Sequence, residues 1–402
     1  MTPGSLKQSL WTTYLLGSAL LTRQVLAGCS GPRRFDRVVI VAALGKQNGI
    51  TRGAYLQWQA LRNLGIEADL VDATPALRNP FFRIKHEPGS AYIFHSGAPQ
   101  TASLIGSVLP AAAHAYRVGY WAWELPDPPA WRNCEATIDE VWTPSRFSRD
   151  SLKRLLRKPV EVVPHYLPAE PRRWRDRNGP FTVLAMADTR SSLARKNPAG
   201  AVQAFVQAFG EDPAARLLLK LTGPDDAVDA FMGSLGGLAH RSNIEILRGF
   251  LDEAGLAALY ARADVLLSLH RAEGFGLPML EALARGIPVV ATAWSGNTDF
   301  AHSGNSVEVP YRLTPVVDPA AIYSASCWAE PDIAAAACGL RRLADDTAFY
   351  DRLAEAAYQG IATESRSFPL APQPETSAAF KAAVRTGGSK VEHPLRRHAI
   401  AE

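Results

Sequence analysis

The chain has 402 residues, of which 47% are apolar and 20% charged, with 30 glycines and 29 prolines. That balance excludes disordered, collagenous and small disulfide-framework proteins, and it fits a soluble globular chain too long for one core. A net charge of +4 conceals an asymmetry: residues 1–180 hold 23 Lys and Arg against 14 Asp and Glu, and residues 181–402 hold 20 against 25.

The first 36 residues open with an apolar run, LWTTYLLGSALL (10–21), followed by LAGC (26–29), which imitates a bacterial lipoprotein cleavage box. Arg23 and Gln24 interrupt the run just before that box. The reading adopted is a non-cleaved extension, with amphipathic contact to a membrane surface as the role open to it. No stretch is long and uncharged enough for a transmembrane helix. Next, RVVIVAAL (37–44) has the composition of a buried strand, and GKQNGITRG (45–53) leads from it into a helical pattern closing at Gly65. Glycines at 45, 49 and 53 do not fit G-x-G-x-x-G, and neither Ser nor Thr follows Gly45-Lys46 as a P-loop requires. An ordinary tight strand-to-helix turn is the plain alternative.

AYIFHSGAP (91–99) is another apolar strand that ends in a turn at His95. GYWAWELP (119–126) gathers aromatics around Glu124; Trp121 and Trp123 read as core, and Glu124 as the residue least comfortable there. PRRWRDRNGP (171–180) is polar, basic and closed by Gly-Pro, which marks a linker. The expected organisation is an extension over 1–36, a first Rossmann-like domain over 37–170, the linker, and a second Rossmann-like domain over 181–366. A crossover helix at 376–385 and a tail fill 367–402.

In the second half FTVLAMAD (181–188) reads as a strand, and Asn197 and Pro198 as the cap and first position of the helix that follows. Arg190, Arg195 and Lys196 fall between them, at a strand-to-helix junction, where cations suit an anion unless they are plain surface charge. ADVLLSLH (263–270) is a further strand. The turn after it carries Glu273, Gly274, Phe275, Gly276 and Leu277, and a helix runs from Pro278 to Gly286 with Glu281 in its first turn. IPVVATA (287–293) completes a strand, helix, strand unit of a parallel sheet, in which ligands lie outside the carboxyl ends of the strands. Glycines let a ligand approach the backbone, helix-opening amides suit a diphosphate, and a carboxylate beside an anion is suited to accepting ribose hydroxyls. Two glutamates near a helix start would also simply favour its dipole.

The E-x7-E pattern of 273–281 resembles the motif of glycosyltransferase family 4, retaining nucleotide-sugar enzymes of GT-B fold. DTRSSLARKNPAGAVQAFVQAF (188–209) is similar to that family's basic phosphate-binding segment. SGNTDF (295–300), YSASCWAEPD (323–332), GYWAWELPDPPAW (119–131) and VWTPSRFSRDSL (141–152) resemble segments of its polysaccharide-building members. The likeness runs from 38 to 365. It implies an α/β GT-B fold, with two Rossmann-like domains facing across a cleft.

By that resemblance Arg190, Arg195 and Lys196 stabilise the leaving diphosphate, Glu273 positions the donor sugar and Glu281 holds ribose. The amides of Gly274, Phe275, Gly276 and Leu277 form a cradle completed by Gly296, Asn297 and Thr298. Gly49 approaches the donor phosphates from across the cleft, with Asn48 and Arg52 beside it, and His95 and Glu124 face donor sugar or acceptor. The implied activity is transfer from a nucleoside-diphosphate sugar to a hydroxyl of a lipid-linked glycan in exopolysaccharide or lipopolysaccharide assembly. It needs neither cofactor nor metal, and Cys29, Cys134, Cys327 and Cys338 lack zinc spacing. The basic N-terminal half would meet the inner membrane face through 153–158 or 172–177, from the cytoplasm, and no nucleic-acid motif accompanies the charge. The rivals are a catalytically inactive GT-B scaffold, a GT-B epimerase or phosphorylase, and a two-carboxylate glycoside hydrolase.

Overall fold

The computed structural model describes residues 3–367 apart from 28–36, 47, 80, 86–89, 130, 166, 168–169 and 324. The crossover helix expected at 376–385 lies outside the described residues. The first half builds one parallel sheet from β1 (Arg37–Ala42), β2 (Ala68–Asp72), β3 (Ser90–His95), β4 (Tyr116–Tyr120), β5 (Glu140–Thr143) and β6 (Val160–Val162). Its spatial order is β2-β1-β3-β4-β5-β6. The second half builds another from β7 (Phe181–Asp188), β8 (Ala215–Thr222), β9 (Ile244–Arg248), β10 (Val265–Ser268), β11 (Val289–Thr292) and β12 (Ser306–Val309), in the order β12-β11-β10-β7-β8-β9. These are near-continuous apolar runs because helices cover both faces. Val39, Ile40, Val41, Ile93, Val183, Leu217 and Val290 are all buried in this way.

In each sheet the strand order reverses at one point, between β1 and β3 and between β7 and β10. Such points leave a crevice at the carboxyl ends of the strands. The turn after β1 and His95 at the end of β3 lie at the first; the basic segment after β7 and the Gly-Phe-Gly turn after β10 lie at the second. An antiparallel hairpin, β13 (Tyr311–Pro315) and β14 (Cys327–Pro331), extends from the second half. It returns to the first, where Tyr323 and Trp328 share one hydrophobic cluster with Trp121, Trp123 and Trp131.

Two segments make contacts that their sequence reading did not include. The helix Pro3–Ala27 packs on the first sheet's helix Ala98–Ser107, burying Leu15, Thr22 and Leu26; Tyr14 Oη donates to Ala76 O at 2.6 Å. The 171–180 stretch is pinned to the second half rather than solvated. Arg173 pairs with Asp264 at 2.6 Å, Arg177 with Asp351 at 2.6 Å and Arg172 with Glu355, and the Arg175 guanidinium lies 4.8 Å from the Phe181 ring centroid. Among the described residues no helix is long and apolar enough to cross a membrane.

Candidate active site

The basic turn after β7 is folded by its own side chains. Ser192 caps a short helical turn, Leu193–Lys196, by accepting from the Arg195 amide at 3.1 Å. Asn197 then takes a left-handed conformation (φ 50°) and caps the helix Pro198–Phe209 by accepting from Gly200 N at 3.1 Å. Its amide nitrogen donates to Leu269 O at 2.9 Å, which ties the turn to the end of β10. Arg195 and Lys196 are thereby brought onto Glu273. Arg190 is not: it forms its own pair with Asp188 at 2.8 Å, and that hydrogen bond raises its pKa.

Glu273 is 8% exposed and accepts from the Lys196 ammonium, while Arg195 Nη1 stands 3.4 Å from its other oxygen. Burial alone would raise its carboxyl, but Lys196, Arg195 and His270 outweigh it and draw the pKa from 4.5 to about 2. Arg195, 5% exposed, also donates to Ala272 O at 2.7 Å and lies 3.9 Å from Glu124. Burial opposes its charge, yet Tyr323, Glu273 and Glu124 together raise its pKa. A small open pocket lies between β7 and β10 and is lined by Met186, Lys196, Ser268, Glu273, Pro278 and Met279.

The Gly-Phe-Gly turn is held through the Gly274 carbonyl oxygen. Ser145 Oγ donates to Gly274 O at 2.6 Å and Ser148 Oγ at 3.3 Å, both from the first half of the chain. Among the described residues the amides of Gly274, Phe275 and Gly276 have no acceptor. Leu277 starts the helix Leu277–Leu283, and Gly276 precedes it at φ 102°, a conformation that suits glycine. The sequence reading put Glu281 in the first turn; since the helix begins at Leu277, Glu281 is its fifth residue and sits just past that turn.

Glu281 is 5% exposed; Tyr260 Oη donates to it at 2.9 Å and Arg52 Nε lies 3.5 Å away. Burial raises its pKa against the opposing pull of Arg52 and Tyr260. Arg52 belongs to the helix Gly49–Asn63 of the first half and also pairs with Glu253, so it crosses the cleft. Gly49 opens that helix with free space around its Cα, and Asn48 serves as the helix cap, accepting from Thr51 N at 3.0 Å.

The structure therefore joins Glu273, Lys196, Arg195 and Glu124 in one cluster, with Glu281 on the next helix turn. Other expected residues have structural partners. Gly296 N donates to Glu273 O at 2.9 Å and Thr298 N to Ser295 O at 3.2 Å, so these amides are already engaged; Asn297 Oδ1 lies 3.0 Å from His270 Nε2. His95 is 1% exposed, with Nε2 at Gln57, and stacks on Tyr120 at 4.2 Å. Tyr120 stacks in turn on His165, whose ring meets Phe275 edge-on at 5.0 Å. His95 thus reaches the turn through two aromatic rings rather than by direct contact.

Sequence reasoning missed Tyr260, the two serines and the hairpin. Tyr323 lies over the Arg195 guanidinium at 5.6 Å, 5.6 Å from the Trp123 ring, and its hydroxyl is raised by burial and by Glu124. Asp318 accepts from Ser192 Oγ at 2.7 Å, and Arg271 forms a fork with Glu330 at 2.6 and 2.9 Å. The 141–152 and 323–332 segments were visible as motifs, and Ser145-x-x-Ser148 has the pattern of a helix cap. Among the described residues no group of three or more His, Cys, Asp and Glu is arranged to hold a metal ion.

Two parallel-sheet domains with their switch points facing one another define the GT-B fold. Within it, residues 146–322 match the model described as "Family 4 Glycosyltransferase in conflict systems". Among solved structures, sucrose-phosphate synthase from Thermosynechococcus elongatus has a TM-score of 0.61 at 15% identity, over 83% of this chain and 96% of that one. Anabaena Alr3699/HepE in complex with UDP-glucose gives 0.57 at 14%, over 83% and 98%. TarM of S. aureus, in a complex containing UDP, gives 0.53 at 14%, over 70% of this chain and 54% of that one, so the chain spans about half of TarM's length. At these identities the likeness establishes the fold. No curated protein matches the chain by sequence.

Proposed function

We propose that the protein is a retaining glycosyltransferase that moves a sugar from a nucleoside diphosphate to a hydroxyl of a lipid-linked glycan. The observation that carries this reading is the Lys196 and Arg195 pair on Glu273, set at a switch point beside three amides that lack an acceptor among the described residues. Lys196 lines the pocket and is the cation free to turn from Glu273 to a diphosphate. Arg195, almost wholly buried, holds Glu273 and Glu124 in place, and Arg190 follows only if it leaves Asp188. The Gly274, Phe275 and Gly276 amides would donate to phosphate oxygens. Glu281 would accept ribose hydroxyls once Arg52 gives way, and Glu273, ionised at any working pH, would orient the sugar.

In the reaction the bond from the anomeric carbon to the diphosphate oxygen breaks, and a bond to the acceptor oxygen forms on the same face. The acceptor proton passes to the departing diphosphate. Charge develops on that diphosphate, where a cation and fixed amides contribute most. Closure of the two domains around Gly274 and Glu124 would exclude water from the junction and so favour transfer over hydrolysis. The matched model's description names a setting and no acceptor; a lipid-linked glycan rests on the polysaccharide-type segments and on the basic first half.

The test is calorimetry with UDP, GDP and ADP, followed by transfer assays with the matching sugars. UDP comes first because the HepE structure contains UDP-glucose and the TarM structure UDP. Binding of one nucleotide, lost in Glu281→Ala, with product of unchanged anomeric configuration, is the expected result. Absence of binding to all three would overturn the proposal.

A further inference from the structure

The helix Pro3–Ala27 is apolar on two opposite sides. Leu15, Thr22 and Leu26 face the domain. The opposite face carries Gly17, Leu20, Leu21, Gln24 and Val25 at helical spacing, and its large residues stand in solvent: Leu20 is 64% exposed, Leu21 55% and Val25 45%. Large apolar side chains left exposed on the outer face of a packed helix, here around the polar Gln24, mark an interaction surface.

A basic loop is the near neighbour of this helix. The turn Trp131–Thr137 packs against the helix, and its Glu135 accepts from the backbone amides of Arg157 and Lys158 at 2.8 and 3.0 Å. Lys153, Arg154 and Arg157 are exposed, and among the described residues none of the side chains of Lys153, Arg154, Arg157 and Lys158 has an acidic partner. The other basic stretch, 172–177, differs: Arg172, Arg173 and Arg177 are spent on Glu355, Asp264 and Asp351 of the second half. The charge available to a partner is therefore at 153–158, which Glu135 ties to the same turn that packs on the helix.

We propose that this face of the first domain, formed by Leu20, Leu21 and Val25 together with Lys153, Arg154, Arg157 and Lys158, docks on an anionic phospholipid bilayer. Apolar side chains entering the headgroup region beside a cluster of cations is the chemistry of interfacial binding. The proposal rests on the glycosyltransferase reading only in giving the docking a purpose, which is to bring the site to a lipid-linked acceptor.

The experiment is co-sedimentation of the full chain with phosphatidylcholine vesicles, with and without phosphatidylglycerol, at low and high salt. Binding is expected only with phosphatidylglycerol, and weaker in high salt. Each basic residue near such a surface contributes roughly 1 kcal/mol, so Lys153→Glu with Arg157→Glu should weaken binding by about tenfold or more. Leu20→Ser with Leu21→Ser should do likewise, while Leu313→Ser on the exposed hairpin should leave it unchanged. Nucleotide binding measured on the same variants should match wild type, which reports folding and keeps failure here separate from failure of the catalytic reading. Equal binding to neutral vesicles, or none to either, would overturn the proposal. So would a dimer in gel filtration that the Leu20 and Leu21 changes dissociate, since the strip would then be a contact between copies.

Discussion

Replacing Lys196 by Met tests whether the basic turn meets a diphosphate. The change keeps an apolar stem in the pocket wall and removes the ammonium bonded to Glu273. A charge-assisted hydrogen bond contributes about 1.5–3 kcal/mol. Lys196 must give up its Glu273 bond to reach a phosphate, so the lower end applies, and about 1.4 kcal/mol is tenfold in affinity. The nucleoside diphosphate that binds wild type should therefore bind about tenfold more weakly, and the monophosphate should lose much less. Calorimetry on both ligands reads this directly; equal losses for the two would refute the assignment. A second readout comes from acid unfolding. The fall of the Glu273 carboxyl from 4.5 to about 2 is worth about 3 kcal/mol at most. Because the folded value is the depressed one, that stability is complete above the unfolded value and is lost as pH falls through the folded value. Without Lys196 the carboxyl rises, the loss begins at higher pH, and the acid midpoint moves up. An unmoved midpoint would mean that Lys196 does not hold Glu273 in solution.

Tyr260→Phe takes a hydrogen bond from the buried Glu281 carboxylate, at a cost of about 1–3 kcal/mol, and raises its pKa beyond its already elevated value. Nucleotide affinity that needs ionised Glu281 should then fall off at higher pH than in wild type, and superimposable pH profiles would count against the ribose role. Gly296→Ala would place a methyl group 2.3 Å from Gly274 O and 2.8 Å from Phe275 N, both backbone atoms that cannot turn aside. The Gly-Phe-Gly turn must shift, so the variant should lose nucleotide binding and about 1–3 kcal/mol of thermal stability; full binding would show that the turn's position is not critical.

What could be read from the sequence follows from the range of the forces involved. The strands at 37, 91, 181, 263 and 287, the Asn197 cap and the Pro198 start are local matters of side-chain shape and capping, and each appears within a few residues of its expected place. The E-x7-E turn was legible because glycines and helix starts announce themselves. The roles of individual charges were not. Arg190 and Arg195 are five positions apart and look alike in sequence; one is taken by Asp188 two residues away, the other by Glu273, 78 residues further on. Local composition cannot distinguish these fates, because a guanidinium settles on whichever carboxylate the tertiary fold brings closest. The same holds for the linker, whose arginines read as solvated charge until the helix Thr347–Ser367 supplies Asp351 and Glu355.

Tyr323 illustrates the longer-range case. Its place over Arg195 depends on the hairpin returning to the first domain, on Asp318 holding Ser192 and on Arg271 gripping Glu330. Every one of those contacts joins residues at least 59 positions apart. The hairpin therefore buttresses the basic turn from one side while Ser145 and Ser148 hold the Gly-Phe-Gly turn from the other. One consequence is mechanical: opening the cleft strips Ser145 and Ser148 from Gly274, Glu124 from Arg195 and Arg52 from Glu281 together. The geometry of both turns is thereby coupled to closure, and under the proposed function a nucleotide between them would meet its cation and its amides in place only when the two domains meet.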